Sequence, residues 1–431
     1  MFDPKKIELI YYLTGDIKEA VAAAFNHGQE KLIPLCDPIG SYLNEVNRFL
    51  FAGGVGVDVV GAESGDPRQI YLNKILQTSQ LNATLAEIWR HGAITGEMLA
   101  CPRLSELGHH VIDWYPATEF EPEYEGDRLY EIEIKAIRYK EVEGTDRIEP
   151  HRFKKKIYMD RFVDYPLVPL DKEEKFDWDA AATETPHNYR ELPAVVIKNR
   201  IALNQSRGEG EFNYAAAKIA SMAAMLTFDA AENVHFFGAP IFDSPDPADT
   251  LKRLQARSRV LQKLGADDGG GHNVLAPPSI SSQHLEFMEK LNKIFRDHMG
   301  IRSGDDSMAK DLSSLALKLL NATTISKAES KWLNYVEAGL VPLLQLILRM
   351  AAVDGILSAV SPLNPDTYQL TAYRKKPYFS LSPTEMLQNA QVAMAWIDMG
   401  MDRTQVLHEL IFPDLPIEEV EAKLRPNLED L

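Results

Sequence analysis

From Ser281 to Leu357 the chain spells two helices of very unequal length with a polar break between them. Leu285, Met288, Leu291, Phe295 and Met299 fall on one helical stripe, with Glu286, Glu289, Lys290 and Lys293 off it. Ser281 and Ser282 are candidate caps behind Pro277 and Pro278, and Gly300 and Gly304 end the pattern. The stretch Arg302-Ser303-Gly304-Asp305-Asp306-Ser307-Met308-Ala309-Lys310 is a loop by composition. Helical spacing resumes at Leu312, Leu315, Ala316, Leu319 and Leu320 and runs through Trp332, Val336 and Leu340 to Met350. Pro342 lies inside that run. It removes a backbone donor and crowds the preceding turn, which predicts a kink.

Composition narrows the class. The 431 residues are 45% hydrophobic and 25% charged, enough for a sizeable core and two or three domains. With 63 acidic against 46 basic residues the net charge is −17, which disfavours indiscriminate adhesion to DNA or anionic membrane. Two cysteines, Cys36 and Cys101, make neither a disulfide framework nor a metal cluster and fit a reducing compartment. The start, Met1-Phe2-Asp3-Pro4-Lys5-Lys6, carries no signal pattern. The apolar run Leu340 to Ala352, at about 13 residues, reads as too short for a bilayer, which needs roughly 20.

In chain order, residues 5–50 are mostly helical by spacing, and Phe51 to Gly61 is a strand or strand–turn. Its glycines match neither a dinucleotide fingerprint nor a phosphate loop. Residues 70–99 read as one helix. Strands are predicted at Val111 to Trp114, Leu129 to Tyr139 and Lys154 to Phe162; the second alternates Tyr130, Ile132, Ile134 and Ala136 against Glu131, Glu133 and Lys135, so one face is buried. Residues 163–190 read as an acidic surface loop, and Leu192 to Asn199 as helix-free. A helix rich in alanine follows at Tyr214 to Asn233, then a strand candidate at Val234 to Phe242, a basic helix at Leu251 to Leu264 and a returning strand at Asn273 to Ala276. Thr367 to Tyr373 is a strand. Ser382-Pro383-Thr384-Glu385 opens helices at 384–399 and 403–410, before a short acidic helix near the end.

The unequal hairpin suits a ring, in which each subunit offers a short helix and a loop to a central channel while the long helix reaches outward. The hairpin, the Leu192 to Asn199 segment, the helix after Gly208-Glu209-Gly210 and the small strand–helix–strand piece between two helices together resemble the portal proteins of tailed bacteriophages, of the siphophage type. The likeness runs through residues ~70 to 431 by element order and short patterns. It implies an α+β portal fold with a mixed wing (1–210), a first stem helix (211–234), a small α/β clip (235–279), a second stem helix (280–300), a tunnel loop (301–311), a long kinked helix returning to the wing (312–380) and a helical C-terminal crown (381–431).

It also implies a function: a homo-oligomeric ring, a dodecamer, at one capsid vertex of the virion, assembled in the bacterial host cytoplasm. Double-stranded DNA would pass through it, and the terminase large subunit, the head–tail adaptor and the major capsid protein would be its partners. The resemblance brings no enzymatic activity, no cofactor and no membrane. It assigns the tunnel loop to Arg302, Ser303, Gly304, Asp305, Asp306, Ser307 and Lys310, and places Lys252, Arg253, Arg257, Arg259 and Lys263 on the clip as partner-binding residues. Ala216, Ala220 and Ala224, small enough to let helices approach closely, become candidates for the subunit interface. With Asp311, the tunnel loop holds two cations and three anions, so one copy sums to −1. The alternatives are another virion structural protein such as a head–tail adaptor, or a soluble hydrolase with residues drawn from distant segments. No hydrolase motif is present. His109 and His110, adjacent in a strand-like segment, point to opposite faces and do not readily share a metal.

Overall fold

In the computed structural model the chain is α+β. The structure describes residues 5, 7, 10, 37–51, 53–63, 65–126, 128–141, 148–178, 180–201, 205–237, 241–243, 260–261, 274–275, 282–301, 318–357, 368–375, 383–410 and 420. Two compact units divide it: Met1–Pro4, Leu43–Glu211 and Arg302–Leu431 form one, and Lys5–Tyr42 with Phe212–Ile301 the other.

Lys5, Ile7 and Ile10 are helical, and the elements described after them begin with helix α1 (Pro38–Leu50), strand β1 (Val55–Val59), α2 (Pro67–Thr78) and α3 (Leu81–Thr95). The single helix expected over 70–99 is therefore two helices and the start of a strand. It breaks at Gln80, left-handed at φ 45°, and stops at Gly96, left-handed at φ 102°. Strands β2 (Glu97–Leu104), β3 (His110–Pro116), β4 (Phe120–Glu125), β5 (Arg128–Glu141), β6 (Ile148–Tyr158), β7 (Arg161–Asp164), β8 (Val168–Pro169), β9 (Thr183–Pro186) and β10 (Val195–Lys198) follow. They make a three-stranded antiparallel sheet, β10-β2-β3, and a six-stranded one running β4-β5-β6-β7-β9 with β8 beside β6. The strand expected over Lys154 to Phe162 is turned at Met159-Asp160. The loop expected over 163–190 instead supplies sheet edges, because its threonines and prolines suit short edge strands. The expected alternation on β5 holds: Ile132, Ile134 and Ala136 are buried with Leu99, Tyr115, Phe120 and Ile157 between the two sheets, while Glu131, Glu133 and Lys135 face out.

In the second unit, helix α4 (Tyr214–Phe237) packs along helix α5 (Ser282–Met299). Between them in sequence lies a small sheet of β11 (Ile241–Asp243), β12 (Val260–Leu261) and β13 (Val274–Leu275), with β11 parallel to β12 and antiparallel to β13. The helix expected through Leu251 to Leu264 thus fails at Val260 and Leu261, where strand pairing overrides the helical spacing. The helix expected to stop at Asn233 continues to Phe237. On α5 the expected stripe buries Leu291, Phe295 and Met299. Gly300, at φ 65°, closes the helix while Ile301 N–H bonds the Arg296 carbonyl.

The first unit resumes with α6 (Ala322–Trp332), a π-helical stretch Leu333–Leu340, α7 (Val341–Val353), strand β14 (Leu370–Arg374), α8 (Pro383–Asp398) and α9 (Arg403–Leu410). β14 pairs antiparallel with β1, whose other edge is served by side chains. Asn82 Oδ1 accepts from Val55 N–H at 2.8 Å and Gln69 Oε1 from Val59 N–H at 2.7 Å. At Pro342 the chain widens rather than simply kinking: Val341 N–H reaches back five residues to the Val336 carbonyl. The burial pattern gives the cause. Lys331/Trp332, Tyr335/Val336, Gly339/Leu340, Leu343/Leu344 and Ile347/Leu348 are buried in pairs spaced by four, ending at Ala351. A strict repeat of four outruns an ideal α-helix by about 40° per turn. From Lys331 to Ala351 the drift would reach about 200°, so the backbone underwinds to keep the stripe on one side. The run Ala322–Val353 is 32 residues, longer than the 13-residue apolar run read from sequence, and is long and apolar enough to cross a membrane by length and composition alone, a test that a buried core helix also passes. More than half of its most apolar window, 56%, is buried inside the chain.

Candidate functional site

The residues assigned from sequence to the tunnel loop, Arg302 to Lys310, and to the clip, Lys252, Arg253, Arg257, Arg259 and Lys263, lie outside the described residues. Ala216, Ala220 and Ala224 are described. The first two are fully buried and the third is half-buried, and the chain's own packing accounts for it. The side of α4 open to solvent carries Tyr214, Ala215, Lys218 and Met222.

Among the described residues, the most elaborate polar arrangement is one that spacing did not single out. It lies in the first unit where α3 ends, β2 and β10 meet, residues 207–211 pass, and α6 runs into the π stretch. Asn199, wholly buried, holds it together. Its N–H bonds the Gly96 carbonyl at 2.9 Å, and its carbonyl accepts from Lys331 Nζ at 3.2 Å and Asn334 Nδ2 at 2.9 Å. Its side-chain amide donates to the Glu209 carbonyl at 3.0 Å and to Glu211 Oε2 at 3.3 Å. Glu211 in turn pairs with Lys331 at 2.5 Å, their side chains 8% and 5% exposed, and more loosely with Lys327 at 3.7 Å. Burial pulls both lysines below the ordinary ammonium range, against the pull of Glu211.

Beside it Glu97, wholly buried, pairs with Arg207 and accepts the Gly208 N–H at 2.7 Å. Burial raises its carboxyl above the ordinary range, and Arg207 opposes that. The backbones approach so closely that only glycine fits. A methyl on Gly208 would run into the Gly96 carbonyl, and one on Gly339 would lie 2.8 Å from the Ile197 side chain. Each of these charges faces a partner of opposite sign within the chain, which makes the arrangement a joint between α3, β2, β10 and α6. The one signal for it in the sequence was the Lys198-Asn199 pair with the glycines that follow.

His109 and His110 are both buried. His110 Nδ1 lies 2.8 Å from the Tyr71 hydroxyl and Nε2 lies 3.1 Å from Asp354 Oδ2. Tyr189 donates to the same carboxylate at 3.2 Å. Tyr189 also lines a cleft of about 800 Å³ with Met159, Asp160, His187 and Arg349, where Arg349 grips Glu191 through two bonds of 2.6 and 2.9 Å.

The basic run Arg152-Phe153-Lys154-Lys155-Lys156 has the look of a phosphate-binding patch. Folding neutralises it. Arg152 pairs with Glu173, Lys154 with Glu133, Lys155 with Asp164 and Lys156 with Glu131, at 2.9 to 3.1 Å. Lys154 also lies over the Tyr165 ring and Lys155 over Phe162. No protein-family model and no curated protein matches the sequence.

Proposed function

We propose that this chain is the portal protein of a tailed bacteriophage. One observation carries the reading. Between strand β10 and the long π-interrupted helix that packs on it, the chain leaves to build Phe212–Ile301, two packed helices with a small three-stranded sheet between them in sequence, which fall with Lys5–Tyr42 in the second compact unit. A wing, a stem of two helices and a clip call for that order. The joint around Asn199 fits a subunit that must hold its wing stiff at the chain's exit toward the stem.

The charge balance agrees. A channel for double-stranded DNA must not grip phosphates, because many such contacts would arrest sliding. A chain of net charge −17, whose most basic strand is internally neutralised, meets that demand. On this reading the chain forms a ring at one capsid vertex, passes DNA during packaging and ejection, and offers its clip to terminase and adaptor. It would leave ATP hydrolysis to the terminase.

Negative-stain microscopy of the purified full chain tests this. Rings with a central hole are expected; a monodisperse monomer would overturn the proposal.

A further inference from the structure

His110 sits where four segments meet, and each contributes one group. Tyr71 comes from α2, His110 from β3, Asp354 from the end of α7 and Tyr189 from the segment before β10. His110 is fully buried and Tyr71 is 6% exposed.

Donor and acceptor counting fixes the proton positions. The Tyr71 oxygen accepts the His110 backbone N–H at 3.1 Å and lies 2.8 Å from His110 Nδ1, while the Asp354 carboxylate, which can only accept, faces Nε2 at 3.1 Å. Nδ1 is therefore the acceptor, and the ring hydrogen stays on Nε2, facing Asp354 Oδ2. A second proton can enter only at Nδ1, where the Tyr71 hydrogen already lies. Protonation forces that hydroxyl to turn away, inside a buried site, while it strengthens the attraction between His110 and Asp354. Asp354 caps the C-terminal end of α7, where a bare carboxylate is disfavoured, so it gains from an imidazolium.

We propose that Tyr71, His110, Asp354 and Tyr189 form a proton-sensitive latch, which ties α2 to β3 and the end of α7 at neutral pH and releases α2 in mild acid. The groups facing His110 are Tyr71 from α2, His109 on its own strand and Asp354 from α7, with Tyr189 behind Asp354. Burial and His109 act against the charged ring, and Asp354 acts for it. Since burial dominates, the ring is held below the ordinary histidine range. The latch is thus fully set above about pH 6.5 and lost as pH falls through the lower, folded value.

The test uses the full chain. Amide hydrogen exchange across 67–78 and 351–357, corrected for intrinsic rates, is followed from about pH 7.5 to pH 5. In the wild type, exchange at 67–78 should rise several-fold more than at 351–357. H110Q offers one acceptor and one donor group in place of the neutral ring and cannot be protonated, so its profile should stay flat. A flat wild type, or an equal rise in H110Q, overturns the proposal. Should H110Q fail to fold, the wild-type protein still decides. Exchange of the His110 ring carbon hydrogen, read by mass spectrometry, must titrate below about pH 6.5; a midpoint at or above that sinks the latch.

Discussion

The joint around Asn199 and the outer face of β5 and β6 are built from the same side chains and behave in opposite ways. In the joint, Glu211 and Lys331 meet at 2.5 Å with their side chains 8% and 5% exposed. On the sheet, Glu133 bridges Lys135 at 2.7 Å and Lys154 at 3.1 Å, and Lys135 is 45% exposed. The distances scarcely differ. What differs is water. A buried pair has lost its hydration, so either partner left alone carries an uncompensated charge. An exposed pair exchanges one solvated state for another. Counting ion pairs therefore says little about this protein; asking which of them have lost their water says a great deal.

The comparison can be broken or sharpened by substitution, in descending order of effect. E211A, which strands Lys331, is expected to cost about 3–5 kcal/mol in denaturant unfolding. A cost below about 1 kcal/mol would mean that water reaches the joint. N199L should come next, at about 1–3 kcal/mol, because it leaves the Glu209 carbonyl and the Tyr335 hydroxyl short of partners. E97Q adds a pH signature. Burial holds the Glu97 carboxyl above its ordinary value, so the folded state keeps that proton longer than the unfolded chain does. The stability of wild type relative to E97Q should therefore be greatest below about pH 4.5 and should fall as pH rises through the folded value. A difference that grows with pH would show that Arg207 outweighs burial. Smallest of all, a double-mutant cycle on Lys135 and Glu121, whose side chains are 45% and 71% exposed, should give about 0.2–1 kcal/mol, shrinking in 1 M salt, while the E211A penalty persists there.

How much of this could be read beforehand follows the same division. Periodicity found the buried faces of β5 and α5, since Ile132, Ile134 and Ala136, like Leu291, Phe295 and Met299, bury themselves on the spacing of their own element. It missed the strands inside 163–190, because edge strands are set by the neighbour they pair with. It took Val260 and Leu261 for helix for the same reason. Beyond the Lys198-Asn199 pair and the glycines after it, the joint left no mark in the sequence, because Glu97, Asn199, Glu211 and Lys331 are far apart and each alone reads as an ordinary surface residue. The long helix is a different case. Trp332, Val336 and Leu340 stood four apart in plain view, and the repeat meant more than the proline beside it.

That repeat has a consequence for how the chain can vary. A substitution along Leu333–Leu340 changes a contact, but the number of residues there sets an angle. Each residue of α-helix adds about 100° of rotation and 1.5 Å of length. One residue gained or lost in the widened stretch would leave α7 seated in its core and turn α6, with whatever precedes it, like a dial moved by one notch. Insertions and deletions, more than point changes, are then how a chain of this kind could re-aim the segment ahead of Ala322 without redesigning the helix that carries it.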